Sequence, residues 1–324
     1  MKKVLIIVIF LALIFANIII GGLDLTLTET LDFFKSPNGG KILELRLIKI
    51  LVAILAGAGI SVSGLLMQTL FKNPLAGPYV LGVSSGASLG AAIFVLILPM
   101  FWGIGGLPII SNIGLVGFAW IGAILIQLLI GLFSRKVNNI MTVLIIGLML
   151  GSGVGAIVQL FQFLSDEAAL KSYILWTFGS LSGVTASQSI VLIITTIIGL
   201  AIAILSTKGL NLLLLGEDYA KTLGINTKKI INLCFISTSL LAGTVTAFCG
   251  PIAFIGIVIP YIARMISKSA DHKVLIPLTA SIGAITLLGC NLASNTLTIP
   301  INILSSLLGI PIVIWIVIKN KKLC

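Results

Sequence analysis

Residues 50–68 read Ile50-Leu51-Val52-Ala53-Ile54-Leu55-Ala56-Gly57-Ala58-Gly59-Ile60-Ser61-Val62-Ser63-Gly64-Leu65-Leu66-Met67-Gln68. No charge interrupts this stretch, and about 20 apolar residues in a helix cross the hydrocarbon core of a bilayer. Ala53, Gly57, Ser61, Gly64 and Gln68 recur at helical spacing, a pattern that lets a second helix backbone approach closely. The rest of the chain is built the same way. Its 324 residues are 58% hydrophobic and 9% charged, with a mean hydropathy of +1.24, whereas soluble domains are about 25% charged. A soluble enzyme is excluded. The chain has room for on the order of ten spans and for no large aqueous domain.

Spans are expected at 4–22, 47–70, 79–98, 113–133, 140–163, 189–206, 230–248, 251–267, 274–289 and 303–318, an all-α polytopic architecture forming one transmembrane unit over 1–324. Met1-Lys2-Lys3 followed by the apolar run Val4 to Ile20 imitates a secretory signal. That run is longer than the usual h-region of about 7–15 residues and no small-x-small cleavage site follows it, so an uncleaved first span is expected. The net charge of +11 sits in short clusters between apolar runs, with no basic face for nucleic acid. With both termini in the cytoplasm, fifteen Lys and Arg fall inside and five (Lys35, Lys41, Arg46, Lys49, Lys171) outside, as the positive-inside bias requires. Cys234, Cys249, Cys290 and Cys324 form no C-x-x-C pair and read as packing thiols, with no metal site.

Mid-span ionisable residues are missing. Ion-driven carriers commonly place a titratable group at mid-membrane; here the single histidine, His272, reads as part of a cytoplasmic turn, and Arg264 lies near a helix end where it can snorkel. That disfavours a secondary carrier. No G-x-x-x-x-G-K-[ST] phosphate loop and no H-E-x-x-H metalloprotease motif occurs, so any ATP is hydrolysed by a separate subunit and intramembrane hydrolysis lacks its residues.

Two further small-residue stripes follow, Gly82, Gly86, Gly90 and Gly147, Gly151, Gly155, the latter leading to Gln159 and Gln162. Close packing and a wide uncharged pathway lined by Gln68, Gln159 and Gln162 are both open readings. Asn73-Pro74-Leu75-Ala76-Gly77-Pro78, then Gly82-Val83-Ser84-Ser85-Gly86, predicts a broken segment between spans, because the prolines remove backbone donors and bias the preceding residues away from helix. It serves as hinge or gate. Thr207 to Lys229 is the longest cytoplasmic connection. Its apolar stretch Gly209 to Leu215 is too short to span, Gly216 breaks it, Glu217 and Asp218 suit a helix N-terminus, and Gly224 suits a C-cap. The expected unit is a compact knob of two short helices, either lying on lipid or docking a soluble partner.

Met67-Gln68-Thr69-Leu70-Phe71-Lys72-Asn73-Pro74-Leu75-Ala76 with Leu81-Gly82-Val83-Ser84-Ser85-Gly86-Ala87 resembles the signature of the FecCD/BtuC-type permeases, membrane subunits of bacterial ABC importers for iron-siderophores, haem and cobalamin. Gly250-Pro251-Ile252-Ala253-Phe254-Ile255-Gly256, Ile259-Pro260-Tyr261-Ile262-Ala263-Arg264, Asp271-His272-Lys273, Leu275-Ile276-Pro277 and Gly309-Ile310-Pro311 extend the likeness over the whole chain. The resemblance implies a multi-pass permease of ten helices in the bacterial cytoplasmic membrane, paired with a second identical or related permease and surrounded by lipid. It also implies two cytoplasmic ATPase subunits that bind the ATP and Mg, and an external binding protein. This chain itself then has no catalytic residue and no cofactor. Its coupling residues would be Asn211, Leu213, Leu215, Gly216, Glu217, Asp218, Ala220, Leu223 and Gly224. Gln68, Asn73, Pro74, Ser84, Ser85, Gly86, Gln159 and Gln162 would border the pathway or gate. Arg46 and Lys49 would meet acids of the binding protein. The implied cargo is a metal chelate, a ferric siderophore first, with haem or cobalamin as alternatives. Where the family has Arg-Leu-Pro-Arg the chain has Arg46-Leu47-Ile48-Lys49; Asn291 and Asn295 replace an Asp and an Arg, and Tyr261 a histidine.

Overall fold

The computed structural model describes residues 2–20, 39–102, 110–137 and 140–319. The expected outer-loop residues Asp24, Glu29, Asp32 and Lys35, the end of the first span and Cys324 lie outside them. Helices account for all regular structure, with no strand among the described residues. They are α1 (Lys2–Ile19), α2 (Gly39–Leu70), α3 (83–102), α4 (Ile110–Lys136), α5 (Ile140–Leu164), α6 (Glu167–Thr177), α7 (Ala186–Leu205), α8 (Thr207–Leu215), α9 (Glu217–Thr222), α10 (Thr227–Cys249), α11 (Ile255–Ser267), α12 (His272–Leu297) and α13 (Ile301–Lys319). Seven of these (α2, α3, α4, α5, α7, α10 and α12) are long and apolar enough to cross a bilayer, and α1, α11 and α13 contribute shorter apolar helices. Together these ten match the ten expected spans in order.

The differences are local. α2 starts at Gly39, eight residues before the expected Leu47, because Glu44, Arg46 and Lys49 continue the helix beyond its apolar part. α12 runs on to Leu297, past the expected end at 289. α6 is new. Asp166 caps it by accepting from the Ala169 amide at 2.7 Å, and Glu167 adds an acid to its first turn, the end where the helix dipole favours negative charge. Single π turns interrupt α3 at Ile93–Ile97 and α10 at Ser239–Gly243, features with no periodicity to announce them.

α2 is the mast of the bundle, with 83% of its apolar window buried. Its stripe of small residues is filled by backbone. A Cβ on Gly57 would strike the Gly283 carbonyl of α12, and one on Gly64 the Gly256 carbonyl of α11. The second stripe does the same between α3 and α4, where Gly86 abuts the Gly122 carbonyl and Gly90 that of Phe118. Gly86, expected at the pathway, is therefore a packing glycine: a helix backbone already occupies the space beside it. Cys234, Cys249 and Cys290 are buried free thiols.

Candidate functional site

The expected site residues fall into three places. The first is the end of the bundle where α2 finishes. Lys72 takes a left-handed φ of 49°, and the chain turns through Asn73, whose Oδ1 accepts from the Leu75 amide at 2.9 Å and whose carbonyl accepts from the Ala76 amide at 3.1 Å. A short 3-10 turn, Pro78–Leu81, then leads through Gly82 at φ 66° into α3. The irregular backbone is thus hydrogen-bonded within protein, as a membrane-depth break requires. Gln68 is the clasp. Only 3% of its surface is exposed; its Nε2 donates to the carbonyls of Pro74 at 2.7 Å and Ile257 at 2.9 Å, and its Oε1 accepts from Arg264 Nη1 at 2.5 Å. Gln68 therefore does not line an open path within this chain, and Arg264 does not reach for the headgroups: the buried amide gives the guanidinium a fixed partner.

Beside this clasp stands the knob. α8 and α9 meet at Gly216, whose φ of 126° and ψ of 148° suit glycine and few other residues. α9 ends in a Schellman arrangement, with the Gly224 amide on the Lys221 carbonyl at 2.9 Å and the Ile225 amide on that of Ala220 at 3.1 Å. Leu210, Leu213 and Ala220 are buried under the knob, while Leu215, Tyr219 and Leu223 are each more than half exposed on its outer side. Lys221 reaches back to Glu217 at 3.1 Å and Asp218 at 3.4 Å, and the hydrogen bond to Glu217 raises the pKa of its ammonium. Thr227 Oγ1 also donates to Glu217 Oε1 at 3.2 Å, which fastens the start of α9 to the start of α10.

One buried polar residue is placed differently from the sequence reading. His272 is 1% exposed, although its place in a turn suggested a solvated side chain. Asn211 Nδ2 donates to Asp271 Oδ1 at 2.7 Å, while Asn211 Oδ1 faces His272, accepting from its backbone N at 3.0 Å and lying 2.7 Å from Nδ1. His272 Nε2 lies 2.8 Å from Thr69 Oγ1. Asp271, the N-cap of α12, has its pKa lowered first by the Lys273 amide and then by Asn211. The signal available in the sequence was an Asp-His pair opening a long apolar run.

The second place is the opposite end of α2. Arg46 and Gln68 are 22 positions apart on one helix, about 33 Å at 1.5 Å per residue, or roughly one hydrocarbon thickness. Arg46 is buried, and its Nη1 donates to the carbonyls of Ile18 at 2.6 Å and Ile19 at 3.2 Å. It caps α1. The expectation of a surface docking arginine is corrected accordingly: the last turn of α1 supplies free carbonyls that draw the guanidinium inward. Lys49 is half-buried and donates to Asn295 Oδ1 at 2.5 Å. Asn291 is buried as well, its Nδ2 donating to Asn17 Oδ1 at 2.8 Å while Asn17 Nδ2 donates to the Leu13 carbonyl at 2.8 Å and the Leu288 carbonyl at 3.2 Å. Lys49, Asn291 and Asn295 thus tie α1 and α2 to α12.

The third place is the outward face of α5. Only 22% of the apolar window of α5 is buried. Val143, Val154 and Val158 point into the bundle, and Ser85 of α3 lies against Gly151, with Ser84 half-buried next to it. The other side of the helix carries exposed Ser152, Ala156 and Gln159, Gln162 is half-exposed, and a Cβ added at Gly153 or Gly155 would meet nothing within 4 Å. Exposed Met149, Ile157, Leu160 and Phe163 stand beside them, so the outward surface of α5 mixes small and polar side chains with large apolar ones.

Comparison with known proteins points to one transport family. The model of the FecCD transport family matches residues 6–319. The chain is similar to the hemin transport system permease protein HmuU of Yersinia pestis, 34% identical over 288 residues that cover 86% of this chain and 84% of that one. It is similar to the vitamin B12 import system permease protein BtuC of Salmonella arizonae, 36% identical over 296 residues, 90% of this chain and 87% of that one. A solved inward-facing conformation of a metal-chelate type ABC transporter superposes with a TM-score of 0.82 at 29% identity, covering 98% of this chain and all of that one.

Proposed function

This chain belongs to the FecCD transport family and is an ABC importer permease, a multi-pass protein of the bacterial inner membrane; from that premise we propose that it carries a metal chelate inward, a ferric siderophore in the first instance, with its energy supplied by a separate ATPase. The observation that carries the reading is the knob. A two-helix unit anchored by Leu210, Leu213 and Ala220 and showing Leu215, Tyr219 and Leu223 outward has the form of a plug for a soluble partner, and apolar side chains held on rigid short helices lose little entropy on docking.

In this reading Asn211, Leu213, Leu215, Gly216, Glu217, Asp218, Ala220, Leu223 and Gly224 form the element that meets the ATPase, which binds the ATP and Mg. The fifteen-to-five charge distribution supports a cytoplasmic position for that end and for both termini. The binding protein then docks at the Arg46 and Lys49 end, where Lys49 is the basic group still in part at the surface. The face of α5 with Ser152, Gln159 and Gln162 borders the route, completed by a second permease. Uncharged walls hold a bulky chelate weakly enough to release it. Asn73, Pro74, Ser84 and Ser85 sit where α2 passes into α3, a site for hinging between two arrangements whose populations docking and ATP binding shift. Gln68 belongs to the same junction as its internal clasp.

The test is uptake into proteoliposomes containing this chain with its cognate ATPase and a binding protein loaded with a ferric siderophore, haem or cobalamin. ATP-dependent accumulation of the siderophore alone is the expected result. Accumulation of haem or cobalamin instead would move the cargo assignment. Uptake that collapses with an uncoupler at constant ATP would overturn the ATP-driven reading.

A further inference from the structure

The knob has two kinds of attachment to the bundle. Leu210 and Leu213 are buried, and Gly209 lies against Ile230 of α10; these contacts are apolar and give no preferred register. The other kind is directional: Thr227 of α10 donates to Glu217 of the knob, and Asn211 engages the start of α12. Asn211 is held by Asp271 through Nδ2, so its Oδ1 is the atom turned to His272. An amide oxygen only accepts, which puts the ring proton on Nδ1 and leaves Nε2 as an acceptor; the single Thr69 hydroxyl hydrogen is shared between Nε2 at 2.8 Å and the Leu65 carbonyl at 2.9 Å. His272 and Thr69 are both almost fully buried, so no bulk water competes for these bonds. Thr69 adjoins Gln68, the clasp that holds the Pro74 and Ile257 carbonyls and Arg264.

We propose that His272 is a positioning residue for transport: the Asn211–His272–Thr69 bridge fixes the docking knob to the last turn of α2, so that displacement of the knob moves α2 and the α2–α3 junction instead of sliding α8 over its apolar seat. This rests on the reading of the knob as the ATPase-docking element. His272 touches neither cargo nor nucleotide. Removing its ring leaves the apolar seat, the Glu217–Thr227 bond and the Asn211 bonds to Asp271 and to the His272 backbone in place, so ATPase association and hydrolysis persist while the link from the knob to Thr69 and α2 is lost.

The experiment compares the complete reconstituted complex carrying wild-type chain, His272→Ala, His272→Asn, Thr69→Val and Leu215→Asp, reading ATPase co-purification, ATP hydrolysis and uptake per ATP hydrolysed. His272→Ala should retain the ATPase and lower uptake per ATP at least about fivefold, the factor matching one net hydrogen bond. Asparagine places an amide N–H where Nδ1 stands but has no atom to reach Thr69, so His272→Asn keeps only the Asn211 half of the bridge and should lower the ratio in the same direction as His272→Ala. A purely space-filling role predicts a wild-type ratio in Thr69→Val, which keeps the packed volume. Thr69→Val keeps the shape and removes the hydroxyl; it should lower the ratio in the same direction, and it decides the matter should His272→Ala fail to accumulate. An unchanged ratio in His272→Ala, His272→Asn or Thr69→Val overturns the proposal. Leu215→Asp separates the two levels. Loss of ATPase binding there supports the docking reading and leaves the ratio to judge His272, whereas retention of the ATPase removes the docking reading itself.

Discussion

α2 and α5 carry the same sequence signal and meet opposite fates. Gly57, Ser61 and Gly64 on α2 and Gly147, Gly151 and Gly155 on α5 are small residues at nearly the same spacing. On α2 they are filled from within the chain, by the backbones of α11 and α12, and the helix is buried. On α5 the stripe is closed at one end, where Gly147 approaches Gly82 and Gly151 meets Ser85, and open at the other, where nothing within 4 Å would meet a Cβ on Gly155. A small-residue stripe therefore announces close approach without naming the neighbour. Where no element of the chain fills the stripe, as at Gly155, the helix face is left open to whatever lies outside the chain.

The sharpest way to break this comparison is to add one methyl group to each helix. Gly64→Ala drives a Cβ into the Gly256 carbonyl, a backbone atom that no side-chain rotation relieves. We expect a loss of about 3 kcal/mol or more, seen as a collapse of thermal stability in detergent. Gly155→Ala should stay within about 0.5 kcal/mol of wild type; equal losses in the two variants would end the distinction.

Next in size is Gln68→Leu, which keeps apolar volume but strips the amide from Arg264 and from two carbonyls. A cost of about 2–3 kcal/mol is expected from the unpartnered buried groups, again by thermal unfolding. Stability equal to wild type would instead return Gln68 to the pathway reading. Gly155→Trp should leave folding intact and reduce uptake at least about tenfold, equivalent to about 1.4 kcal/mol in a barrier, because it fills space that only the route or the second subunit uses. Smallest is Gly216→Ala, at about 1 kcal/mol of local backbone strain, expected to appear as reduced uptake per ATP with normal accumulation of the protein.

The ten spans were legible because each rests on a contiguous property, apolar length bounded by charge. The knob was legible for a similar reason: Gly216, Glu217, Asp218 and Gly224 are local punctuation. The polar side chains were another matter. Gln68 follows a small-residue stripe and so reads as facing a pathway, yet its partners, Arg264 and the Ile257 carbonyl, come from α11, almost 200 positions later in the chain. Arg46 reads as a surface cation until the end of α1 is placed beside it. His272 reads as a turn residue until α8 and the end of α2 converge on it. Each misreading concerns the direction of one side chain on a correctly placed helix, and direction is fixed by long-range packing that a single sequence does not display. The α3 and α10 π turns are missed for the converse reason, since they alter helix register without altering composition.

The most direct measurement of the central claim, that the outward face of α5 borders an aqueous route completed outside this chain, is thiol labelling at Gln159. In the reconstituted complex, Gln159→Cys should react with a membrane-impermeant, water-soluble maleimide well above the background of the parent chain, and docking of loaded binding protein should change that rate. Ser61→Cys, packed against Gly283, should stay unreactive. A Gln159→Cys that ignores the water-soluble reagent but reacts with a lipid-soluble one would show that α5 faces hydrocarbon and would contradict the account.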